Sequence, residues 1–573
     1  MLALVIFSLI LYFFLLVIVS GITLSKRVET GSRAVLVIDL SQSFHEQNQE
    51  NPLAELGGEN QHDIPGVYDL VRLIKHARQD SSVKGIFLKC NGNGNGFATS
   101  EEIRNALIDF KSSRKFIYAY GDLISQKAYF VANIADKVYC NPKGGVDWRG
   151  LAVVIPYLKG ALQKLEIEPQ IFYAGKFKSA TEPLREDKMT EANRLQTGEL
   201  LNGLYNRLLE GTAESRRADT ALLREAVNGH LIQYAADAEK YKLVDGLRYD
   251  DEVKGEIKDE LGIDRNEKIN FITIAQYARA VNFKEEGKTK IALIYAEGDI
   301  VDGKGNQDQI GGETYRSYIR RARMDKEIKA IVIRVNSGGG SSMASENLWR
   351  EITIAKKEKP VVISFGDVAA SGGYYMSCNA DSIFAEPNTI TGSIGVFSIL
   401  PNMQQFFKEK LGITFDGVKT APDADELSMS KPLSPMQKRF MQNEVDSIYQ
   451  DFKSRVAAGR RITMEYVDSI AQGRVWTGQK AFSLGLVDKL GGLQDAIDCA
   501  LRMAKQSSYQ LREFPEPKSL LDQLLGNYKS RISMHAVREE LGEEGFRTYS
   551  TLKRMKSMVG ITQARLPFDF CIE

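Results

Sequence analysis

Residues 366–375 read Gly-Asp-Val-Ala-Ala-Ser-Gly-Gly-Tyr-Tyr and follow an apolar run at 360–365. The run is typical of a buried strand, and a strand that enters small residues and then a serine makes a sharp turn. A helix that begins here leaves unpaired N–H groups beside the hydroxyl of Ser371, which suits a nucleophile and the oxyanion formed by its attack. A tight turn packed with small residues explains the same pattern without any chemistry.

The same stretch has a counterpart 245 residues upstream, where residues 121–130 also begin with Gly-Asp and carry a tyrosine at the matching place. Glycine loops at 91–96 and 336–341 align at the same offset. A long match at one fixed offset predicts that a domain has been duplicated. Strands alternate with helices in both copies, which predicts a layered α/β fold with much parallel sheet.

The predicted elements occur in the same order in both copies. In the first copy they are strands at 34–40, 83–88 and 116–120 and helices at 68–79 and 100–111. In the second copy they are strands at 291–295 and 328–335 and a helix at 315–324. Charged helices at 190–217 and 434–461 precede a further repeated element at 229–247 and 473–488. The predicted domains are an anchor at 1–25, a first repeat at 30–262, a second repeat at 285–505 and a C-terminal extension at 506–573, with helices near 520–528 and 535–552.

The differences between the two copies bear on function. Ser371 falls on Gln126 in the first copy. The two glycines that follow Ser371 fall on Lys127 and Ala128. The first copy therefore keeps the predicted fold and lacks the serine.

A serine hydroxyl is a weak nucleophile at neutral pH and needs a base. None of the five histidines lies between Ser371 and residue 534, although the partner in a triad can be distant in sequence. A lysine that burial keeps neutral is the other candidate. Lys178 lies in a small-residue segment at 173–183, directly after a predicted strand at 169–173, and the second copy lacks this pattern. From residue types alone, a solvated surface lysine is the simpler interpretation of Lys178.

Length and composition exclude several classes of protein. At 573 residues the chain is too long for one core, which predicts two to four domains. The net charge is +1 and no basic block indicates a nucleic-acid partner. The five cysteines are scattered without a Cys-x-x-Cys pair, which argues against a zinc site and a disulfide framework.

The N-terminal segment predicts a membrane anchor. Residues 2–24 are almost wholly apolar and carry no charge before Lys26 and Arg27. About twenty such residues span a bilayer, and a cleaved signal peptide is the alternative. Taken literally, the positive-inside rule would place the body of the protein on the cytoplasmic side, because both charges follow the span.

Five motifs together resemble one protein family. They are Val-Asn-Ser-Gly-Gly-Gly at 335–340, Ala-Ala-Ser-Gly-Gly-Tyr at 369–374, Thr-Gly-Ser-Ile-Gly-Val at 391–396, Gly-Lys-Phe-Lys-Ser-Ala-Thr-Glu-Pro at 175–183 and Arg-Val-Trp-Thr-Gly at 474–478. The chain resembles the signal peptide peptidase A family, also called protease IV, in its long duplicated form, from the N-terminal anchor to about residue 505. The resemblance implies tandem ββα-spiral domains like those of the Clp protease and crotonase superfamily.

The resemblance also implies a Ser/Lys dyad. Ser371 matches the family nucleophile, and Lys178, rather than Lys176, matches the general base because it directly precedes Ser-Ala-x-Glu-Pro. The backbone N–H groups of Gly339 and Gly372 match the family's oxyanion donors. The family loop usually carries a proline before the first of these glycines, and a glycine stands there in this chain, which makes the loop more flexible.

The function implied by the resemblance is that of a membrane-anchored serine endopeptidase. It degrades cleaved signal peptides and other small membrane-associated peptides through an acyl-enzyme and uses no metal or cofactor. The implied protein is a homo-oligomer, a tetramer in the long form, held in the bacterial inner membrane by one N-terminal helix with its catalytic body in the periplasm. Two alternatives are a crotonase-like acyl-CoA enzyme, which would not need Ser371, and a catalytically silent membrane scaffold.

Overall fold

The computed structural model of the chain describes residues 29–48, 64–425, 428–516, 540, 542, 545 and 560–566. The anchor predicted at 1–25 lies outside these residues. In the part of the chain that is described, no helix has the length and hydropathy needed to cross a membrane.

The first copy is built on a six-stranded sheet in which all neighbouring strands run parallel. Across the sheet the strands are Gly246–Leu247, Lys137–Val146, Phe116–Ile124, Val83–Lys89, Ala34–Asp39 and Phe271–Thr273. The helices of this copy are Val67–Gln79, Phe97–Lys111, Gln126–Ala132, Lys159–Lys164, Glu182–Arg185, Glu191–Arg216, Thr220–Asn228, Ala235–Lys240, Asp250–Leu261 and Ile274–Ala280. Parallel neighbours need crossover connections, which these helices provide.

The second copy is built on a larger sheet of mostly parallel strands. Along its main path the strands are Val475–Thr477, Ile390–Gly392, Val361–Ala370, Ile328–Ser337, Lys290–Glu297 and Gln510–Phe514, and Ser382–Ala385 and Lys489–Leu490 branch from it. The helices are Gly312–Met324, Ser342–Ala355, Gly372–Ser377, Pro435–Arg460, Met464–Ile470, Gly478–Ser483 and Leu493–Met503, with a π-helical turn at Phe406–Lys410.

The central strand Ile328–Ser337 is buried on both faces, as its continuous apolar run predicts. Ile333 belongs to the cluster that includes Leu348 of one covering helix. Val332, which points to the opposite face, belongs to the cluster that includes Ile497 of another helix. Helices on both faces therefore exclude water from this strand and fix the position of the loop that follows it.

A third sheet joins the two copies. Its six strands are, in order, Gln309–Gly311, Asp299–Val301, Gly339–Ser341, Gln563–Arg565, Val396–Asn402 and Glu168–Ala174. The last two are antiparallel, and Ala174 of the first copy lies opposite Val396 of the second. This pairing carries the chain after residue 174 onto the second copy.

A buried ion cluster also links the copies. Arg334 of the second copy is fully buried and its guanidinium contacts Glu46 at 2.8 Å and Glu102 at 2.5 Å, both from the first copy. Burial raises the pKa of Glu46 to about 7. Burial also raises the pKa of Glu386, which lies close to the same cluster, well above its usual range. Removal of these two carboxyl groups from water favours their protonated forms.

Each strand and helix predicted within the two repeats is present, with differences at the ends. Strand Phe116–Ile124 ends four residues after its predicted end, and helix Phe97–Lys111 begins three residues before its predicted start at Ser100. The carboxylate of Asp367, from the second copy, accepts hydrogen bonds from the Thr99 backbone N–H at 2.9 Å and from its hydroxyl at 2.7 Å. A cap supplied by the other copy cannot be inferred from the residues that precede the helix.

Two short strands lie in the described parts of the C-terminal extension. Gln510–Phe514 pairs in parallel with Lys290–Glu297, and Gln563–Arg565 enters the third sheet. The predicted helices at 520–528 and 535–552 lie mostly outside the described residues.

Candidate active site

Ser371 lies at the sharp turn between strand Val361–Ala370 and helix Gly372–Ser377. Its backbone has φ 53° and ψ −113°, a conformation that non-glycine residues rarely adopt. The turn is held from both sides, because the Ser371 N–H donates to the Gly392 carbonyl at 2.8 Å and the Ser371 carbonyl accepts from Tyr375 N–H at 2.7 Å. The Ser371 hydroxyl donates to the Gly395 carbonyl at 3.4 Å.

Lys178 comes from the first copy and reaches this serine. Its Nζ lies 2.9 Å from Ser371 Oγ. The turn that carries it is fixed by Phe177 N–H, which donates to the Gln472 carbonyl of the second copy at 2.7 Å. The main chain of Gly473 approaches so closely that an added Cβ would lie 2.6–2.7 Å from the Lys178 N, Cα and Cβ atoms. Glycine at 473, with φ +77°, permits this close contact.

Burial lowers the pKa of Lys178 well below the usual range for lysine. The side chain is 1% exposed, and the desolvation that this causes penalises the ammonium form. Its hydrogen-bond partners are Ser371 Oγ at 2.9 Å, Ser393 Oγ at 3.0 Å and the Ser393 carbonyl at 3.3 Å, none of which carries a negative charge. The surroundings of Lys178 thus favour the neutral amine, which is the form that can accept a proton.

Ser393 is a site residue that our sequence analysis did not single out. It has φ +50° and its N–H donates to the Arg474 carbonyl at 2.7 Å, which holds its hydroxyl beside Lys178. A signal for it exists in the sequence, because Ser393 falls on Trp148 at the same 245-residue offset. The comparison of copies that identified Ser371 would also have identified Ser393.

The two predicted oxyanion glycines lie next to each other. A Cβ added to Gly339 would lie 2.7 Å from the Gly372 nitrogen. Gly372 is the first residue of its helix, so its N–H has no acceptor within that helix. The Gly339 N–H donates to Ser337 Oγ at 3.1 Å. One of the two donors is therefore engaged by a neighbouring hydroxyl in this conformation.

The alternative bases lie elsewhere. Lys176 is exposed and its Nζ lies over the Phe177 ring. Of the described histidines, His45 contacts Glu297 at 3.3 Å and His76 contacts Tyr277 at 2.9 Å. His230 is exposed. In the described part of the chain, no group of three or more His, Cys, Asp and Glu side chains is arranged to hold a metal ion.

A buried carboxylate anchors the lysine segment. Glu182 is 2% exposed and accepts hydrogen bonds from the Thr190 hydroxyl at 2.6 Å and from Asn193 Nδ2 at 2.9 Å. Gln196, on the same long helix, donates to the Phe177 carbonyl at 2.9 Å. The Glu-Pro end of the motif at 175–183 thus ties Lys178 to helix Glu191–Arg216.

Comparison with known proteins agrees with this arrangement of two copies. The model of Peptidase family S49 matches residues 109–264 and 353–507, once in each copy. One solved structure, of a ClpP1 mutant from Listeria monocytogenes, overlaps 36% of this chain and 94% of its own with 14% identity. Its TM-score of 0.25 is too low to support an argument.

Three curated relatives match most of the chain. "Protease 4" from Salmonella typhi is 34% identical over 91% of this chain and 87% of its own length. "Protease 4" from Haemophilus influenzae is 33% identical over 86% and 83%. The chloroplastic "Serine protease SPPA" of Arabidopsis thaliana is 33% identical over 80% and 69%. With the family model matched in both copies and these relatives along most of its length, the chain belongs to peptidase family S49 and is a serine protease.

Proposed function

We propose that the chain is a serine endopeptidase in which Ser371 is the nucleophile and Lys178 the general base. The observation that carries the proposal is the 2.9 Å separation between Lys178 Nζ and Ser371 Oγ, in surroundings that lower the pKa of the lysine. A base within hydrogen-bond reach of a serine hydroxyl is the requirement for activating it. Family membership makes peptides the substrate class, which disfavours the acyl-CoA and scaffold alternatives.

In the first half of the reaction, neutral Lys178 takes the proton of Ser371 as Oγ attacks the peptide carbonyl. The Gly372 N–H stabilises the oxyanion, and the Gly339 N–H joins it once its bond to Ser337 is exchanged. A well-placed donor of this kind contributes about 3 kcal/mol to the transition state. The protonated lysine then gives its proton to the leaving amine, and the acyl chain remains on Ser371 Oγ.

In the second half, neutral Lys178 activates a water molecule that attacks the acyl-enzyme. The proton then returns from the lysine to Ser371 Oγ as the acid product leaves. Ser393 Oγ, 3.0 Å from Lys178 Nζ, holds the amine in line with Ser371 through both steps. No step needs a metal or a cofactor.

A serine-directed probe tests this assignment directly. We expect a fluorophosphonate to label the wild-type chain and to fail on Ser371→Ala and on Lys178→Ala. Lys176→Ala is the matched control, because it removes an exposed lysine two residues away and should label like the wild type. Labelling that persists in Lys178→Ala but is lost in Lys176→Ala would transfer the role of base to Lys176.

The proposed substrates are cleaved signal peptides and other small membrane-associated peptides, and the proposed location is the bacterial inner membrane with the catalytic body in the periplasm. The apolar run at 2–24 supports an anchor of one span. Cleavage of a synthetic signal peptide in detergent, compared with a soluble peptide of similar length, tests the substrate class. Equal cleavage rates on the two peptides would contradict the proposed preference for membrane-associated peptides.

The proposed tandem ββα-spiral domains also suggest how copies of the chain assemble. Inside the chain, strand Glu168–Ala174 of the first copy pairs with Val396–Asn402 of the second. The counterparts of these strands at the same offset are residues 413–419 and 151–157, and neither forms a strand. Side chains in both are exposed, with Val154 at 92% and Phe415 at 56%. A second chain placed head to tail would pair them by the same geometry, and head-to-tail contacts form a ring when the rotation between neighbouring chains closes.

The mass of the detergent-solubilised particle, measured by light scattering, tests this assembly. We expect four chains in the wild type and single chains in Phe415→Asp, because a carboxylate would be buried in the proposed contact. Met324→Asp, at a side chain that is 67% exposed in the second copy, is the control and should remain a tetramer. Assembly that is unchanged in Phe415→Asp contradicts the proposed pairing.

A further inference from the structure

The motif Arg-Val-Trp-Thr-Gly at 474–478 has no part in the proposed mechanism, yet its first residue contacts the segment that carries Lys178. The Arg474 guanidinium lies over the ring of Phe177, with its carbon 4.8 Å from the ring centroid, and over the ring of Trp476 at 4.4 Å. Phe177 directly precedes Lys178 in the chain. A side chain of the second copy therefore packs on the residue next to the proposed base.

The other contacts of Arg474 fix it in place. Trp476 is 8% exposed, and its indole N–H donates to the Ile470 carbonyl at 3.0 Å. The Arg474 guanidinium also forms an ion pair with Glu199, on helix Glu191–Arg216 of the first copy. A planar guanidinium can stack on rings and bind a carboxylate at the same time, which a lysine ammonium does less well. Arg474 thus joins Phe177 to a buried ring and to a long helix.

The backbone of Arg474 holds a second neighbour of the lysine amine. Its carbonyl oxygen accepts a hydrogen bond from the Ser393 N–H at 2.7 Å. The Ser393 hydroxyl lies 3.0 Å from Lys178 Nζ. One residue therefore contacts the lysine segment through its side chain and the serine that bonds the amine through its main chain.

A buried glutamine supports the same contact from the helix. Gln196 lies three residues before Glu199, so both side chains are on one face of the helix. The Gln196 side chain donates to the Phe177 carbonyl at 2.9 Å and accepts from the Val475 N–H at 3.3 Å. Gln196 and the Arg474–Glu199 pair together tie Phe177 to the start of the motif at 474–478.

The first copy has a different residue at the matching position. In the repeated element at 229–247, Gly229 matches Gly473, and His230 therefore takes the place of Arg474. His230 is exposed and has φ 49°, whereas the Arg474 side chain is 19% exposed. The arginine thus occurs in the copy that receives Lys178.

We propose that Arg474 is a positioning residue that keeps Lys178 in line with Ser371, by stacking on Phe177 and by holding Ser393. The proposal rests on the proposed role of Lys178 as general base and deepens it by naming what fixes the amine. Hydrogen bonds to serine oxygens hold the amine itself, so the position of the backbone at 177 and 178 decides where it lies. A shift of this backbone would separate Lys178 Nζ from Ser371 Oγ and admit water to the amine.

Arg474→Met tests the proposal, because it removes the planar charged group and keeps an apolar stem. We expect kcat for a fluorogenic peptide to fall about tenfold while KM changes less than about twofold, since a small displacement of a catalytic group is costly. The rate is counted per serine that a fluorophosphonate labels at completion, which leaves unfolded chains out. Arg474→Lys keeps a charge beside Glu199 and loses the planar stacking, so its kcat should lie between those of Arg474→Met and the wild type.

The pH profile gives a readout that a loss of stability alone does not move. Water admitted to Lys178 favours its ammonium form and raises its pKa, so the acid limb of kcat should move to higher pH in Arg474→Met. Loss of a positive charge also raises the pKa of a nearby lysine through space. Phe177→Leu separates the two causes, because it removes a stacking ring and changes no charge. We expect its acid limb to move in the same direction, and a limb at the wild-type position would overturn the packing role.

Arg248→Met is the matched control. Arg248 lies over the Tyr139 ring at 5.9 Å and pairs with Glu256 at 3.1 Å, all within the first copy and outside the candidate site. Its removal deletes the same kind of contact, and we expect kcat, KM and the acid limb of the wild type. An Arg474→Met variant that matches this control in all three would overturn the proposal, as would one in which KM alone rises.

The outcome for Lys178 itself is separate from these results. If Lys178→Ala is not labelled by the fluorophosphonate while Arg474→Met behaves like the control, the base is correctly assigned and only the role of Arg474 is wrong. If Lys178→Ala is still labelled at the wild-type rate, the assignment of the base is wrong, and the proposal for Arg474 falls with it.

Discussion

The two copies differ in backbone conformation at one turn. It follows strand Phe116–Ile124 in the first copy and strand Val361–Ala370 in the second. In the first copy Ser125 has φ −66° and ψ 148°, an ordinary conformation for a residue that caps a helix. In the second copy Ser371, one position further along, has φ 53° and ψ −113°. The same strand-turn-helix is relaxed in one copy and strained in the other. Strain of this kind persists only where neighbouring structure enforces it, and it is concentrated at functional sites.

The side chains at this turn differ in the same sense. The Gln126 amide exchanges hydrogen bonds with the backbone of Gly150, donating at 3.2 Å and accepting at 3.0 Å. Trp148, the counterpart of Ser393, packs edge to face on Tyr129 and donates to the Leu223 carbonyl. In the first copy, Gln126 and Trp148 thus form their hydrogen bonds within the copy, and their side chains fill the space that an incoming lysine would need. The second copy leaves that space for Lys178.

The largest effect is expected from Lys178→Met, which removes the proposed base of Ser371. The methionine keeps the length and apolar packing of the side chain, so we expect kcat/KM to fall about 10²–10⁴-fold with an unchanged or higher melting temperature. In the wild type the rate should fall as the pH drops below the lowered pKa of Lys178, because only the neutral amine accepts a proton. A pH profile for Lys178→Met that keeps the same acid limb would assign that limb to another group.

The next effect concerns Gly473, where the second copy admits the lysine segment. Gly473→Ala combines a positive φ, at a cost of about 1–3 kcal/mol, with a clash against Lys178. Gly485→Ala has the same type of strain at φ +73° but meets nothing within 4 Å. We expect both variants to lose thermal stability and only Gly473→Ala to lose at least about tenfold in kcat as well, since a small misplacement of a catalytic group is costly. Equal kcat values in the two variants would show that the close contact does not position Lys178.

A smaller effect, on the pH dependence of stability, is expected at Arg334, where the two copies meet. Its counterpart in the first copy, Lys89, is exposed. Burial raises the pKa of Glu46 to about 7, so the folded chain holds a proton that the unfolded chain releases near pH 4.5. Stability should therefore fall as pH rises from about 4.5 to 7. In Glu46→Gln that fall should be shallower. Urea unfolding at several pH values measures it, and an unchanged slope would assign the effect to Glu386, whose pKa burial also raises.

The smallest effect is expected from Gln126→Ser, which gives the first copy a serine at the matching position. We expect no second labelled site, because the backbone at Ser125 is unstrained and Trp148 occupies the place of Ser393. Mass spectrometry of fluorophosphonate-treated protein, digested to peptides, should find the label on Ser371 alone. A label on residue 126 would show that this turn of the first copy lacks only a serine, and needs neither the strained backbone nor a lysine amine beside it.

Much of the fold could be predicted from local patterns. Apolar runs such as 328–335 predict the buried strands, and the match between the copies at one fixed offset reveals the duplication. The start of helix Phe97–Lys111 was missed because Asp367, far away in sequence, caps it. Contacts between the copies leave no local trace in either copy.

The candidate site, like the fold, could be predicted from the sequence only in part. The serine turn stands out in the sequence because small residues follow an apolar run, and the difference from Gln126 marks it further. Residue types alone favoured an exposed Lys178, because they cannot reveal that strand Glu168–Ala174 pairs with Val396–Asn402 of the other copy. The segment at 173–183 made Lys178 a candidate, and the resemblance to a known family selected it as the base.

By itself the sequence determined the duplication, the α/β layers and the turn that presents Ser371, since these depend on residues close together in the chain. The tertiary structure alone decided that Lys178 is buried with its amine 2.9 Å from that serine and 3.0 Å from the Ser393 hydroxyl, and that the strand at 563–565 pairs with the glycine loop at 339–341. The physical reason is that desolvation and strand pairing are set by what packs around a group. For Lys178 and for the C-terminal segment, the packing partners lie about two hundred residues or more away in sequence.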